Sequence, residues 1–161
     1  MKSFKDLIAS RYPTQLVKYD QKKVLHRDAL RNLVFDFLDI ETEDDESNKY
    51  LRDAEAYLLE KQGFYVAFLI YKPLDRKPYV AYIRAFGVDS NERRKSYGFT
   101  LLLGFIDACQ RSGVYRYVQL AVAEENTAAI ALYEQVGFNV TKRGEDEGRK
   151  FLCMELSLAR K

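Results

Sequence analysis

Val88-Asp89-Ser90-Asn91-Glu92-Arg93-Arg94-Lys95-Ser96-Tyr97-Gly98-Phe99 is the stretch on which the reading of this chain turns. Ahead of it, residues 79 to 88 are rich in β-branched and aromatic side chains and predict a strand ending on Val88. Asp89 to Glu92 is a polar break, and the apolar run from Phe99 to Ser112 predicts a long helix that Gly113 stops. A strand, a basic turn and a helix N-terminus in that order make an anion site. The first turn of a helix offers backbone N–H groups and the positive end of the dipole. Successive N–H groups in the preceding turn can cradle a second anionic group. Arg93, Arg94 and Lys95 add cations, and an arginine can grip two phosphate oxygens at once.

Further along, Tyr115 to Val122 predicts another strand, followed by an Asn126 N-cap and a short helix stopped by Gly137. Strands at about 138 to 144 and 150 to 158 flank a polar hairpin connection, Gly144 to Gly148. Towards the N-terminus, Thr14 to Tyr19 suits a first strand. Leu30, Leu33, Val34, Phe37 and Leu38 fall on one helix face. A second helix is expected over Ser47 to Ala54 with Ser47 as its cap. Gln62-Gly63 is a turn into a strand at 64 to 71, while Leu58 and Leu59 suit either a helix or a strand.

At 161 residues, with 47% hydrophobic and 31% charged residues, the chain reads as one soluble globular domain over 1–161. A net charge of +2 gives no case for nucleic acid as a partner. No run reaches the ~20 apolar residues of a membrane span, and Met1 to Ile8 lacks a signal-peptide core, so no membrane partner and a cytoplasmic location are expected. Cys109 and Cys153 have neither the spacing nor the numbers for a zinc site or a disulfide framework, and no metal is expected. The 12 Tyr and 10 Phe are spread over the strands, as core packing requires.

Two motifs carry a resemblance. Val88 followed by Arg93-Arg94-Lys95-Ser96-Tyr97-Gly98 is similar to the acetyl-coenzyme A motif Gln/Arg-x-x-Gly-x-Gly/Ala of the GNAT family of N-acetyltransferases. Asn126, Ala129, Leu132, Tyr133, Gly137 and Phe138 resemble that family's Asn-x-x-Ala-x-x-Leu-Tyr-x-x-x-Gly-Phe signature at all of its marked positions. Ser96 departs from the family's usual glycine, and Arg94 stands where glycine is frequent. If residue 96 takes φ > 0, serine there costs on the order of 1 kcal/mol. The resemblance implies an α+β fold with a mixed, mostly antiparallel sheet flanked by helices and splayed between strands 4 and 5. It also favours a strand at 55 to 60.

The resemblance further implies transfer of the acetyl group of acetyl-CoA to a primary amine, by direct attack in a ternary complex. The expected cofactor site is Phe86, Gly87, Val88, Arg93, Arg94, Lys95, Ser96, Tyr97, Gly98 and Phe99, with Asn126 and Tyr133. The backbone of Phe86 and Val88 would bond the pantetheine arm, and an N–H near Val88 would stabilise the oxyanion. Tyr133 is the implied general acid, since a phenol of reference pKa about 10 is protonated at neutral pH and can bond the departing sulfur. The proton acceptor is not at either family position: Tyr82 stands at one and Ala121 at the other. Glu124 and Glu125 are candidates through a water chain. The bland alternative for them is a solvated pair ahead of a helix N-terminus. The acidic run Glu41 to Glu46 suits steering of a cationic amine, though such a run is more usually a solvated loop. His26 reads as a polar residue at a helix start. A small cationic amine is preferred as acceptor over a protein N-terminus or lysine; a non-catalytic coenzyme A-binding regulatory module is the alternative, and the resemblance allows a homodimer.

Overall fold

The computed structural model describes residues 13–159. Seven strands, β1 (Gln15–Lys18), β2 (Glu55–Lys61), β3 (Phe64–Leu74), β4 (Lys77–Val88), β5 (Tyr117–Ala123), β6 (Asn139–Asp146) and β7 (Arg149–Ser157), form one sheet ordered β1-β2-β3-β4-β5-β7-β6. Among the described residues four α-helices accompany it: α1 (Val24–Leu38), α2 (Asp45–Leu51), α3 (Tyr97–Ser112) and α4 (Thr127–Val136). Strands β4 and β5 pair in parallel, while β1–β2, β2–β3, β5–β7 and β6–β7 are antiparallel. The expected α+β class and mixed sheet are therefore present. No helix of the described residues is long and apolar enough to cross a membrane.

The described residues pack as two compact units: one holds residues 13–71 together with Arg84–Phe105, the other Lys72–Ile83 and residues 106–159. In the first, Leu30, Leu33 and Val34 of α1 are buried against Ala56, Leu58, Phe68, Ile70 and Ala85. Residues on the alternate face of β2 and β3 meet α3, whose Phe105 ring lies 4.9 Å from that of Tyr71 and 5.9 Å from that of Tyr57. Strand alternation thus buries both faces, which explains why β3 reads as a continuous apolar run. In the second unit, Val118, Leu120, Val122, Leu152 and Met154 are buried on one face of β5 and β7.

Turn chemistry sets the hairpins. Gln62 and Gly63 both take positive φ, 51° and 85°, as do Glu147 and Gly148 at 49° and 78°. Two such residues in succession are the signature of the two-residue turn that matches strand twist.

The strand that the resemblance favours at 55 to 60 is present as β2, with Leu58 and Leu59 in the core. Some boundaries differ from the sequence reading. Ser47 is not the cap of α2. Asp44 is, accepting from the Ser47 N–H at 2.7 Å while the Ser47 hydroxyl accepts from the Asp44 N–H at 3.0 Å, a reciprocal capping box that buries Ser47. Helix α3 begins at Tyr97, which places Tyr97 and Gly98 inside its first turn. His26 is buried in the first turn of α1: its Nδ1 accepts from the Asp20 N–H at 2.9 Å, and its ring lies 6.3 Å from that of Tyr19 and 5.7 Å from that of Tyr65.

Candidate functional site

The basic turn is built from its approach inward. The Asp89 N–H donates to the Val66 carbonyl at 2.8 Å, so the end of β4 is fastened to β3 on that edge. All peptide bonds of the described residues are trans, and across a trans peptide the carbonyl points opposite to the next N–H. The Val88 carbonyl therefore points to the other edge. An extended residue directs its own N–H and C=O to the same edge, so the Val88 N–H points there too.

Asp36, near the end of α1, accepts from the Ser90 N–H at 2.9 Å and from its hydroxyl at 2.8 Å. The Asp89 carboxylate accepts from the Asn91 N–H at 2.9 Å, closing a short 3-10 turn over Ser90–Glu92. Beyond it, Arg94 and Ser96 both take φ of 66°. These are the two positions where the glycines of the motif were missed, so the left-handed conformation is kept and non-glycine residues bear its cost. The Ser96 carbonyl accepts the first α3 bond, from the Thr100 N–H at 3.0 Å. Left-handed residues just ahead of a helix start are the kind of backbone in which successive N–H groups can form an anion nest.

The cations are unequal. Lys95 Nζ lies 2.8 Å from Glu92 Oε2, and Lys61 Nζ lies 3.6 Å from the same oxygen. Lys95 above all holds the Glu92 carboxyl below its ordinary range, and contact with Tyr97 raises Lys61. Among the described residues no carboxylate pairs with Arg93 or Arg94, and both are exposed. Helix start, left-handed turn and two exposed guanidiniums make a donor set that fits the phosphates of coenzyme A. Gly87 has a packing reason instead: a Cβ there would meet Phe68 Cε1 at 2.9 Å and Phe37 Cδ2 at 3.1 Å.

In the second unit, Asn126 caps α4 as expected, its side chain accepting from the Ala129 N–H at 3.2 Å, and Gly137 ends it at φ 117°. Tyr133 is 7% exposed, its ring 5.7 Å from that of Phe138, and burial pushes its phenol up to about 12. Glu124 and Glu125 are exposed and line a surface hollow with Ala123, Gly148, Arg149 and Lys150. Glu124 Oε1 lies 3.7 Å from an Arg143 guanidinium nitrogen. Residues 41 to 46 are exposed, and Asp44 and Asp45 serve the start of α2. Asp36, Lys61 and Glu92, which fasten the turn, escaped the sequence reading because no local pattern marks a polar residue whose partner lies far along the chain.

A model of the acetyltransferase (GNAT) family matches residues 23–138, more than half of the chain. A search of curated protein sequences finds no match. Among solved structures, the ribosomal-protein-S18-alanine N-acetyltransferase from Escherichia coli is 21% identical, with 92% of this chain and 96% of that one covered and a TM-score of 0.75. A putative acetyltransferase from Salmonella typhimurium, solved with its cofactor acetyl-CoA, is 19% identical over 92% and 95% of the two chains, with a TM-score of 0.71. A Bacillus subtilis acetyltransferase in complex with CoA is 16% identical over 91% and 99%, with a TM-score of 0.70. At these identities the likeness to solved structures is one of fold. The family match, joined to a basic left-handed turn at a helix start and a buried tyrosine on a capped helix, establishes that the chain belongs to the acetyltransferase (GNAT) family.

Proposed function

We propose that this acetyltransferase moves the acetyl group of acetyl-CoA to a primary amine, a small cationic amine in preference to a protein N-terminus or lysine. Attack is direct, in a ternary complex, with Tyr133 as general acid, and the two units work as a single acetyltransferase domain. The observation that carries this reading is the left-handed backbone at both Arg94 and Ser96 ahead of α3. Each costs on the order of 1 kcal/mol for a non-glycine residue, and a well-seated phosphate offsets it.

Acetyl-CoA, when bound, supplies an activated acetyl group as a thioester. Arg93 and Arg94 hold phosphate oxygens, helped by the N–H groups of the turn and of the first turn of α3. The Val88 backbone, on the edge away from β3, bonds the amides of the pantetheine arm, and an N–H near it stabilises negative charge on the carbonyl oxygen, an effect worth ~3 kcal/mol per donor. The Tyr133 phenol, protonated throughout the neutral range, bonds the leaving sulfur and supplies its proton. Exposed carboxylates at 41 to 46 favour a cationic acceptor.

Release of free thiol from acetyl-CoA, followed with spermidine, an aminoglycoside, a lysine peptide and a peptide with an N-terminal alanine, tests the reading. Amine-dependent release is expected, fastest with a small cationic amine. Binding of acetyl-CoA with no acceleration by any amine would make the chain a coenzyme A-binding module.

A further inference from the structure

The proton acceptor for the amine is absent from both expected places on β4 and β5, yet register brings a carboxylate beside them from β7. Tyr82 stands opposite Gln119, Gln119 opposite Glu155, and Glu155 opposite Asn139. Residues opposite each other in a sheet share a face, so these four form one polar row across β4, β5, β7 and β6. Ala121, two residues past Gln119 on β5, lies on the same face.

That face is the one able to receive an acceptor. The opposite face of β5 and β7 is filled by Val118, Leu120, Val122, Leu152 and Met154, each at most 8% exposed. On the row's face Ala121 and Ala123 are exposed, and Gln119, Cys153 and Glu155 are half-buried. Glu155 is held: Gln119 Nε2 donates to its Oε2 at 2.6 Å, which leaves Oε1 for another partner. The other carboxylates nearby are placed differently. Asp146 stands opposite Arg149 at the hairpin end, and Glu124 lies near Arg143 in the exposed loop after β5.

We propose that Glu155, aligned by Gln119, accepts the proton of the attacking amine on this face of the sheet. The assignment rests on the amine acetyltransfer reading above. As the neutral amine forms its C–N bond and the C–S bond breaks, the nitrogen becomes acidic. Its N–H proton passes to Glu155 Oε1 and then to water, and the departing sulfur carries away the electron pair of the C–S bond. Gln119 is a positioning residue, since it acts through Glu155.

The test uses the whole chain and whichever amine of the panel the wild type acetylates fastest. Glu155→Gln is expected to lower kcat about 10²- to 10⁴-fold, the usual range for a general base, with acetyl-CoA affinity by calorimetry unchanged. Added formate should restore turnover to Glu155→Ala, which also decides the matter if Glu155→Gln folds poorly. Without acetyl-CoA, the amine should shift one carboxylate signal in a spectrum of carbon-13 glutamate-labelled protein, the signal that Glu155→Gln lacks. A kcat for Glu155→Gln within about threefold of wild type, or no formate rescue of Glu155→Ala, overturns the role of Glu155 and leaves the acetyltransfer reading standing. A wild type that binds acetyl-CoA but acetylates no amine overturns both.

Discussion

Replacing Tyr133 with Phe removes one oxygen from a ring that is 7% exposed and packed 5.7 Å from Phe138, so the hydrophobic contact survives. What is lost is a hydrogen-bond donor towards the leaving sulfur. A phenol at about 12 is a weak acid beside a thiol at a reference value of about 8.5, so most of its benefit comes from bonding the forming thiolate while transfer of the proton lags. A hydrogen bond to a charged group is worth ~1.5–3 kcal/mol, which predicts a fall in kcat of about 10- to 150-fold with the KM for acetyl-CoA little changed. Stability supplies a second readout with a definite sign. The folded pKa lies above the unfolded value, so the stabilisation is fully present below pH ~10 and lost as pH rises towards ~12, for a total of ~3 kcal/mol. Wild type should therefore lose about that much relative to Tyr133→Phe over this interval in urea titrations. A kcat within twofold of wild type would remove Tyr133 from the mechanism, and parallel alkaline titrations would refute the burial argument.

Ser96→Gly relieves a left-handed serine and should raise Tm by about 2–4 °C for a chain of this size, with coenzyme A affinity kept or improved; a lower Tm would show that the serine supports the turn. Arg93→Ala should weaken coenzyme A binding more than Lys95→Ala and flatten its salt dependence more, because Glu92 already pairs with Lys95; calorimetry at two ionic strengths decides, and equal losses would refute the ranking. Gly87→Ala places a methyl 2.9 Å from Phe68 and should cost ~1–3 kcal/mol by denaturant midpoint, while no cost would mean that the aromatic ring yields freely.

The element order was legible in the sequence wherever a local signal had a local cause. Gln62-Gly63, Asn126 and Gly137 each act through backbone geometry within a few residues, and each does what its chemistry requires. Ser47 misled because a capping box contains two candidates three residues apart, and the one at the break in the backbone is Asp44. Residues 55 to 61 were ambiguous because both faces of β2 are buried, which erases strand alternation. Of the site, the turn was readable through its cations and its helix. The alliance of Lys95 with Glu92 and the Gln119–Glu155 pair were not, since sheet register joins residues that sequence spacing keeps apart.

The carboxylate of Asp36 has a consequence for how such sequences drift. Both of its oxygens accept from Ser90, one from the backbone N–H and one from the hydroxyl, so one side chain ties the last turn of α1 to the approach to the anion turn. Loss of the Ser90 hydroxyl alone leaves one oxygen to solvent, whereas loss of Asp36 alone leaves an N–H and a hydroxyl to solvent together. Among related chains, exchanges at these two positions should therefore travel together, and a library varying both at once should recover working pairs that neither single-site library contains.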